Sequence, residues 1–177
     1  GLRGGGHPAG RISGVAGDTA EGDLGRSYFG SLLTASGRPV LVIPEDSSAA
    51  LPPATVLVAW TPTRESSRAL HDALPMLQAA RSVHLIVVVE DGNGEVEERG
   101  MTEIAAHLDR HGVKVQAKIQ KKEGARTAAL LLEHAARVGA DILVVGGFGH
   151  SRFREWAFGG VTRELLFEAT LPVLYSH

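Results

Sequence analysis

The chain has 177 residues, 44% hydrophobic and 21% charged, which suits one substantial buried core with something left over and excludes a protein that is disordered overall. A formal net charge of -2, with no dense basic stripe beyond Lys118, Lys121 and Lys122, excludes electrostatic capture of a nucleic-acid backbone. There is no cysteine, hence no disulfide framework and no thiolate chemistry, and no apolar run approaches the roughly 20 residues of a membrane helix. No membrane partner, no signal peptide and a cytoplasmic setting are the expectations that follow.

Along the chain, residues 1–22 are rich in glycine and carry no apolar periodicity, so backbone entropy opposes a fixed structure and a loose tail is expected. Asp23 to Ser36 reads as a helix with Tyr28, Leu32 and Leu33 inward, ended by Gly37 and followed by a strand from Val40 to Ile43. Residues 45–54, with Pro52 and Pro53, read as a semi-extended linker. From residue 55 to 177 strands and helices alternate: strands at 55–60, 83–89, 113–119, 141–146 and 172–176, helices at about 63–79, 96–111, 124–138 and 159–169. The run Val83-His84-Leu85-Ile86-Val87-Val88-Val89 is apolar on both pleat faces, as a parallel strand covered by helices requires. Met101, Ile104, Ala105 and Leu108 fall on one helical stripe, and Ala128, Leu131, Leu132 and Ala135 repeat the device. Right-handed crossovers then give a doubly wound parallel five-stranded sheet, in which ligands sit outside the carboxyl ends of the strands.

After the buried strand Ile142-Leu143-Val144-Val145, glycines at Gly146, Gly149 and Gly159 are spaced as Gly-x2-Gly-x9-Gly. Glycine lets backbone N–H groups approach an anion, and the helix that follows offers unpaired N–H groups and a positive dipole end, so a phosphate suits this place. The same spacing also serves a tight turn with close helix packing and no ligand. The wording around it is more specific: Gly146-Gly147-Phe148-Gly149-His150-Ser151-Arg152, then Gly159-Gly160-Val161-Thr162-Arg163-Glu164-Leu165-Leu166, then Leu171-Pro172-Val173-Leu174-Tyr175 closely resembles the C-terminal signature of the universal stress protein (UspA) family. The resemblance covers about 55 to 177. A shorter match, Phe29-Gly30-Ser31-Leu32-Leu33 with Pro39-Val40-Leu41-Val42-Ile43, resembles the last helix and strand of a second such domain, so residues 23–44 read as an incomplete first repeat of a tandem protein.

The resemblance implies a Rossmann-like fold of the adenine nucleotide alpha hydrolase type, whose domains pair antiparallel through their last strands. Val40, Leu41 and Val42 would then pair with Val173, Leu174 and Tyr175, in a pseudo-dimer or homodimer. It also implies ATP or AMP as ligand, with Mg accompanying ATP. The matching positions are Gly146, Gly149, Gly159, Gly160, Val161 and Thr162, for ribose and phosphates; Ala59, Trp60, Thr61 and Val89 at strand ends, and His150 and Arg152 flanking the loop, complete the candidate set. Two positions depart from the family pattern: Gly160 stands where a Ser or Thr is usual, and Trp60 where an aspartate commonly ends the first strand. Trp60 would stack on a base or plug the pocket. Phe153, Trp156 and Phe158 read as packing residues over the sheet end.

No nucleophile elbow, Lys-bearing phosphate loop or histidine-base constellation can be assembled, so no catalytic residue is expected and ATP hydrolysis would be slow at most. Glu90 and Asp91 precede a surface turn and lack an evident partner. His107 and His111, four apart on one helix, make a possible metal edge that is set aside for want of a third ligand. The expected function is a stress-response nucleotide binder, with a non-nucleotide dimerisation or interaction module as the alternative.

Overall fold

The computed structural model describes residues 13–16, 23–47, 52–90, 94–147 and 160–177, with side chains from Phe29 onward. In chain order the elements are β1 (Ser13–Ala16), α1 (Asp23–Ala35), β2 (Val40–Ile43), β3 (Thr55–Ala59), α2 (Arg64–Ala79), β4 (Ser82–Val89), α3 (Glu95–Arg110), β5 (Val115–Lys121), α4 (Thr127–Val138), β6 (Ile142–Gly146), α5 (Gly160–Glu168) and β7 (Val173–Ser176). They build one seven-stranded sheet in the order β1-β2-β7-β6-β3-β4-β5. The five strands from β7 to β5 are parallel, as the βα alternation requires.

Beyond β7 the sheet continues through the N-terminal segment. β2 pairs antiparallel with β7, Val40 opposite Tyr175, Leu41 opposite Leu174 and Val42 opposite Val173, the pairing that the family resemblance implied. The expected loose tail is corrected at one place: Ser13–Ala16 is a strand, parallel to β2. Its composition hid it, because the four residues gain their ladder only from a partner far along the chain.

Helices cover both faces. Because side chains alternate across a strand, Val56 and Val58 fall on one side of β3 and Leu57 on the other. The first side packs against Ala69, Leu70, Ala73 and Leu77 of α2 and Leu108 of α3. The second packs against Phe29 and Leu33 of α1, Leu131 and Ala135 of α4, and Leu165 of α5. Phe29 meets Tyr175 edge to face at 5.1 Å, so α1 covers the antiparallel pair. Arg68 of α2 also donates to the Gly37 carbonyl at 3.0 Å, tying the N-terminal segment to the main unit.

Local chemistry fixes the element ends. The Asp141 carboxylate accepts from the Ala54 and Thr55 N–H groups at 2.8 Å each, clamping the start of β3 beside β6. β5 begins at Val115, two residues later than read, because Gly112 (φ 77) turns the chain out of α3 and Val113 N–H closes on the Leu108 carbonyl at 2.9 Å. Val113 is thereby spent on a helix-terminating motif, its side chain buried beside the last turn. At α4 the same device uses Gly139, φ 62, with Ala140 N–H on the Ala135 carbonyl.

Candidate functional site

Parallel strands all end at one edge, and here the ends of β3, β4 and β6 open into a cleft of about 340 Å³. Its floor is apolar: Ala59, Ile86, Val88, Leu131 and Val145. Its rim is a set of hydroxyl-bearing residues, Thr61, Thr63, Ser66, Thr127 and Thr162, together with Gly146, Gly160 and Val161. No charged side chain lines it among the described residues.

The hydroxyls mark helix starts. Thr63 is the N-cap of α2, its side chain accepting from Ser66 N–H at 3.2 Å, and Thr61 and Ser66 hydroxyls meet at 3.1 Å. Thr127 is the first residue of α4, and Gly160, Val161 and Thr162 open α5. Three helix N-termini therefore border one cleft, and each brings unpaired N–H groups and a partial positive charge. Such a rim holds an anion without a lysine, while the apolar floor accepts a planar ring. Arg126, next to Thr127, is already engaged: Glu168 grips its guanidinium at 2.6 and 3.0 Å and Glu164 lies at 3.3 Å. That hydrogen bond and charge hold Arg126 above its usual range and Glu168 below the usual carboxylate range.

Of the residues named from sequence, Ala59, Trp60, Thr61, Gly146, Gly160, Val161 and Thr162 border the cleft. Val89 does not: it is buried on the α3 side of β4, and Val88, the next residue in the alternation, lines the cleft instead. Gly149, His150, Arg152 and Gly159, with the packing candidates Phe153, Trp156 and Phe158, lie outside the described residues, as does Asp91.

Two positions acquire a specific reading. Gly146 runs against the first turn of α2, where a Cβ would stand 2.6 Å from Ser66 N and 2.7 Å from the Glu65 carbonyl carbon. Its lack of a side chain is demanded by packing before any ligand is considered. Trp60 is 5% exposed and belongs to the α2/α3 core, its six-membered ring against Gly100, where a Cβ would lie 2.6 Å from Cη2. It plugs the space under α3, and its buried Nε1–H has no hydrogen-bond partner among the described residues. Sequence reading missed Thr63, Ser66, Thr127 and Leu131; Thr63, at the start of the helix read at about 63–79, was the available signal.

Fold and cleft define the class: a doubly wound α/β domain with a ligand cleft at the carboxyl edge of its sheet. The chain belongs to the universal stress protein family, whose family model matches residues 53–177. Among solved structures it is similar to a universal stress protein from Archaeoglobus fulgidus, at 22% identity and TM-score 0.66, over 85% of this chain and 55% of that one. It is similar also to UspA from Lactobacillus plantarum, at 14% identity and TM-score 0.60, over 70% and 97%. A third similar structure, a universal stress protein in complex with cAMP, shares 22% identity at TM-score 0.57 over 73% and 98%. At these identities the likeness concerns the fold. No curated protein matches the chain.

Proposed function

We propose that this universal stress protein binds an adenine nucleotide, ATP with Mg or AMP, in the cleft at the ends of β3 and β6, and acts as a nucleotide-responsive binder rather than an enzyme. The observation that carries this reading is the convergence of three helix N-termini and five hydroxyls on one cleft with an apolar floor. Thr162, 5% exposed at the start of α5, and the N–H groups of Gly160 and Val161 would take the phosphates. Ala59, Ile86, Val88 and Val145 would take the base. The cAMP named for one similar structure supports a nucleotide of this kind.

Calorimetric titration with Mg-ATP and AMP tests the reading, with Gly160→Val as control. Among the described residues a Cβ at Gly160 meets only Glu164 Oε1, at 3.9 Å, so the variant is expected to fold while its side chain narrows the cleft mouth. Saturable binding lost in the variant is expected; silence in the parent chain at millimolar nucleotide refutes the proposal. Silence would also favour the interaction-module reading, for which the intramolecular β2–β7 pairing is the supporting observation.

We further infer that β1, α1 and β2 are a partial copy of the β6-α5-β7 unit, related to it by a pseudo-two-fold axis between β2 and β7. In both, a strand, a helix and a parallel neighbour strand succeed one another, and the two last strands meet antiparallel. The match of 85% of this chain to a longer Archaeoglobus fulgidus chain, against about 70% for shorter ones, supports this organisation.

A further inference from the structure

His107 and His111 lie one turn apart at the end of α3, their ring centroids 4.6 Å apart. Folding brings a third imidazole to them: His71, two turns into α2, stacks on His107 at 5.9 Å. The seam that carries the three is fixed from below and from the side. Leu108, fully buried, packs in the same core as Leu70 and Leu77, and Gln78 Nε2 donates to the His111 carbonyl at 2.9 Å. His71 and His111 are exposed and His107 is half-buried, so the rings face outward from a rigid base.

We propose that His71, His107 and His111 form a binding site for a divalent cation of the Zn²⁺ class, bridging α2 and α3. Zinc–nitrogen bonds of about 2.0–2.1 Å in a tetrahedral arrangement place the centroids of two coordinating rings about 5 Å apart. The two observed separations, 4.6 and 5.9 Å, bracket that distance. As the rings now stand, one pair stacked and the other tilted, no group of three or more His, Cys, Asp or Glu side chains among the described residues is set to hold a metal. Coordination therefore requires the imidazoles to turn about χ2, a broad torsion that leaves the ring centroids nearly in place, until one nitrogen of each faces a common point. An all-imidazole donor set selects Zn²⁺, Cu²⁺ or Ni²⁺ over Mg²⁺ and Ca²⁺, which prefer oxygen ligands. Solvent would complete the coordination. None of the three residues lines the nucleotide cleft, so the site is separate from it.

The test is a calorimetric titration of the full chain, free of any affinity tag, with zinc chloride at about pH 7.5, since only a neutral imidazole has a lone pair to give the metal. One equivalent is expected to bind, with affinity at least tenfold weaker in each of His71→Ala, His107→Ala and His111→Ala, and Mg²⁺ is expected not to compete. Zinc should also raise the melting temperature of the parent chain and leave that of the triple variant unchanged. No saturable binding overturns the proposal. So does an unchanged affinity in the His71→Ala variant, which would reduce the site to a helix-surface pair, or equal affinity for Mg²⁺.

Discussion

Gly100→Ala sets two opposing effects against each other in the middle of α3. In a helix interior, alanine is favoured over glycine by about 1 kcal/mol, so an exposed position would gain stability. At this one a Cβ would lie 2.6 Å from Cη2 and 2.8 Å from Cζ3 of Trp60. Ordinary carbon contacts fall at about 3.5–4.0 Å, so ring or helix must retreat by about 1 Å. The ring has little room to retreat, since Trp60 is 5% exposed and packed within the α2/α3 core. Overpacking of a close-packed core costs about 1–3 kcal/mol, and a contact this short belongs to the upper part of that range. The expected net effect is a destabilisation of about 1–2 kcal/mol, read as a lower urea midpoint at unchanged slope. Trp60→Leu removes the atoms that collide, so in that background Gly100→Ala should stabilise by up to about 1 kcal/mol. The double-mutant cycle thus predicts a reversal of sign. Stabilisation by Gly100→Ala in the Trp60 chain would refute the claim that Trp60 fills the space under α3.

Other outcomes follow from the same geometry. Gly146→Ala should lower stability by about 1–3 kcal/mol and weaken nucleotide binding together, because its Cβ meets the backbone of α2 rather than a movable side chain; normal stability in urea titration would contradict this. Tyr175→Phe should be neutral or stabilising by urea titration, since it removes a buried hydroxyl that has no hydrogen-bond partner among the described residues and keeps the ring contact with Phe29; a loss above about 1 kcal/mol would point to a partner outside them. Burial is the first cause that holds His134, between α4 and the sheet, below its usual pKa, with Lys118, Arg137 and His84 acting the same way and Glu133 opposing, and burial also lowers His84. A depressed histidine stays neutral in the folded chain while the unfolded chain takes up a proton. Stability should therefore be level above about pH 6.5 and fall below it, by up to about 1.4 kcal/mol per pH unit for each such proton, and His134→Leu should flatten the profile in pH-dependent denaturation. Deleting residues 1–53 bares the β7 edge and the surface under Phe29 and Leu33. The shortened chain should dimerise in sedimentation analysis, and an equally stable monomer would refute a role for the N-terminal segment in covering that edge.

The order of elements in this chain was legible from its sequence because periodicity is a local property. Strands buried on both faces read as apolar runs and helices as stripes such as Met101, Ile104 and Leu108, while the pairing of Val40, Leu41 and Val42 with the last strand came from the family resemblance. Strand β1 was illegible, since nothing in Ser13–Ala16 announces a ladder that depends on β2. The cleft was half legible: glycines and Thr162 mark the start of α5, but Thr63, Ser66 and Thr127 reach it only because separate βα units all end at the same sheet edge. Whether a glycine serves a ligand or a neighbour, and on which side a strand-end residue packs, depends on what stands within a few ångströms in space. Tertiary structure alone decided that Gly146 makes way for α2, that Gly100 makes way for Trp60, and that His71 comes to stand beside His107.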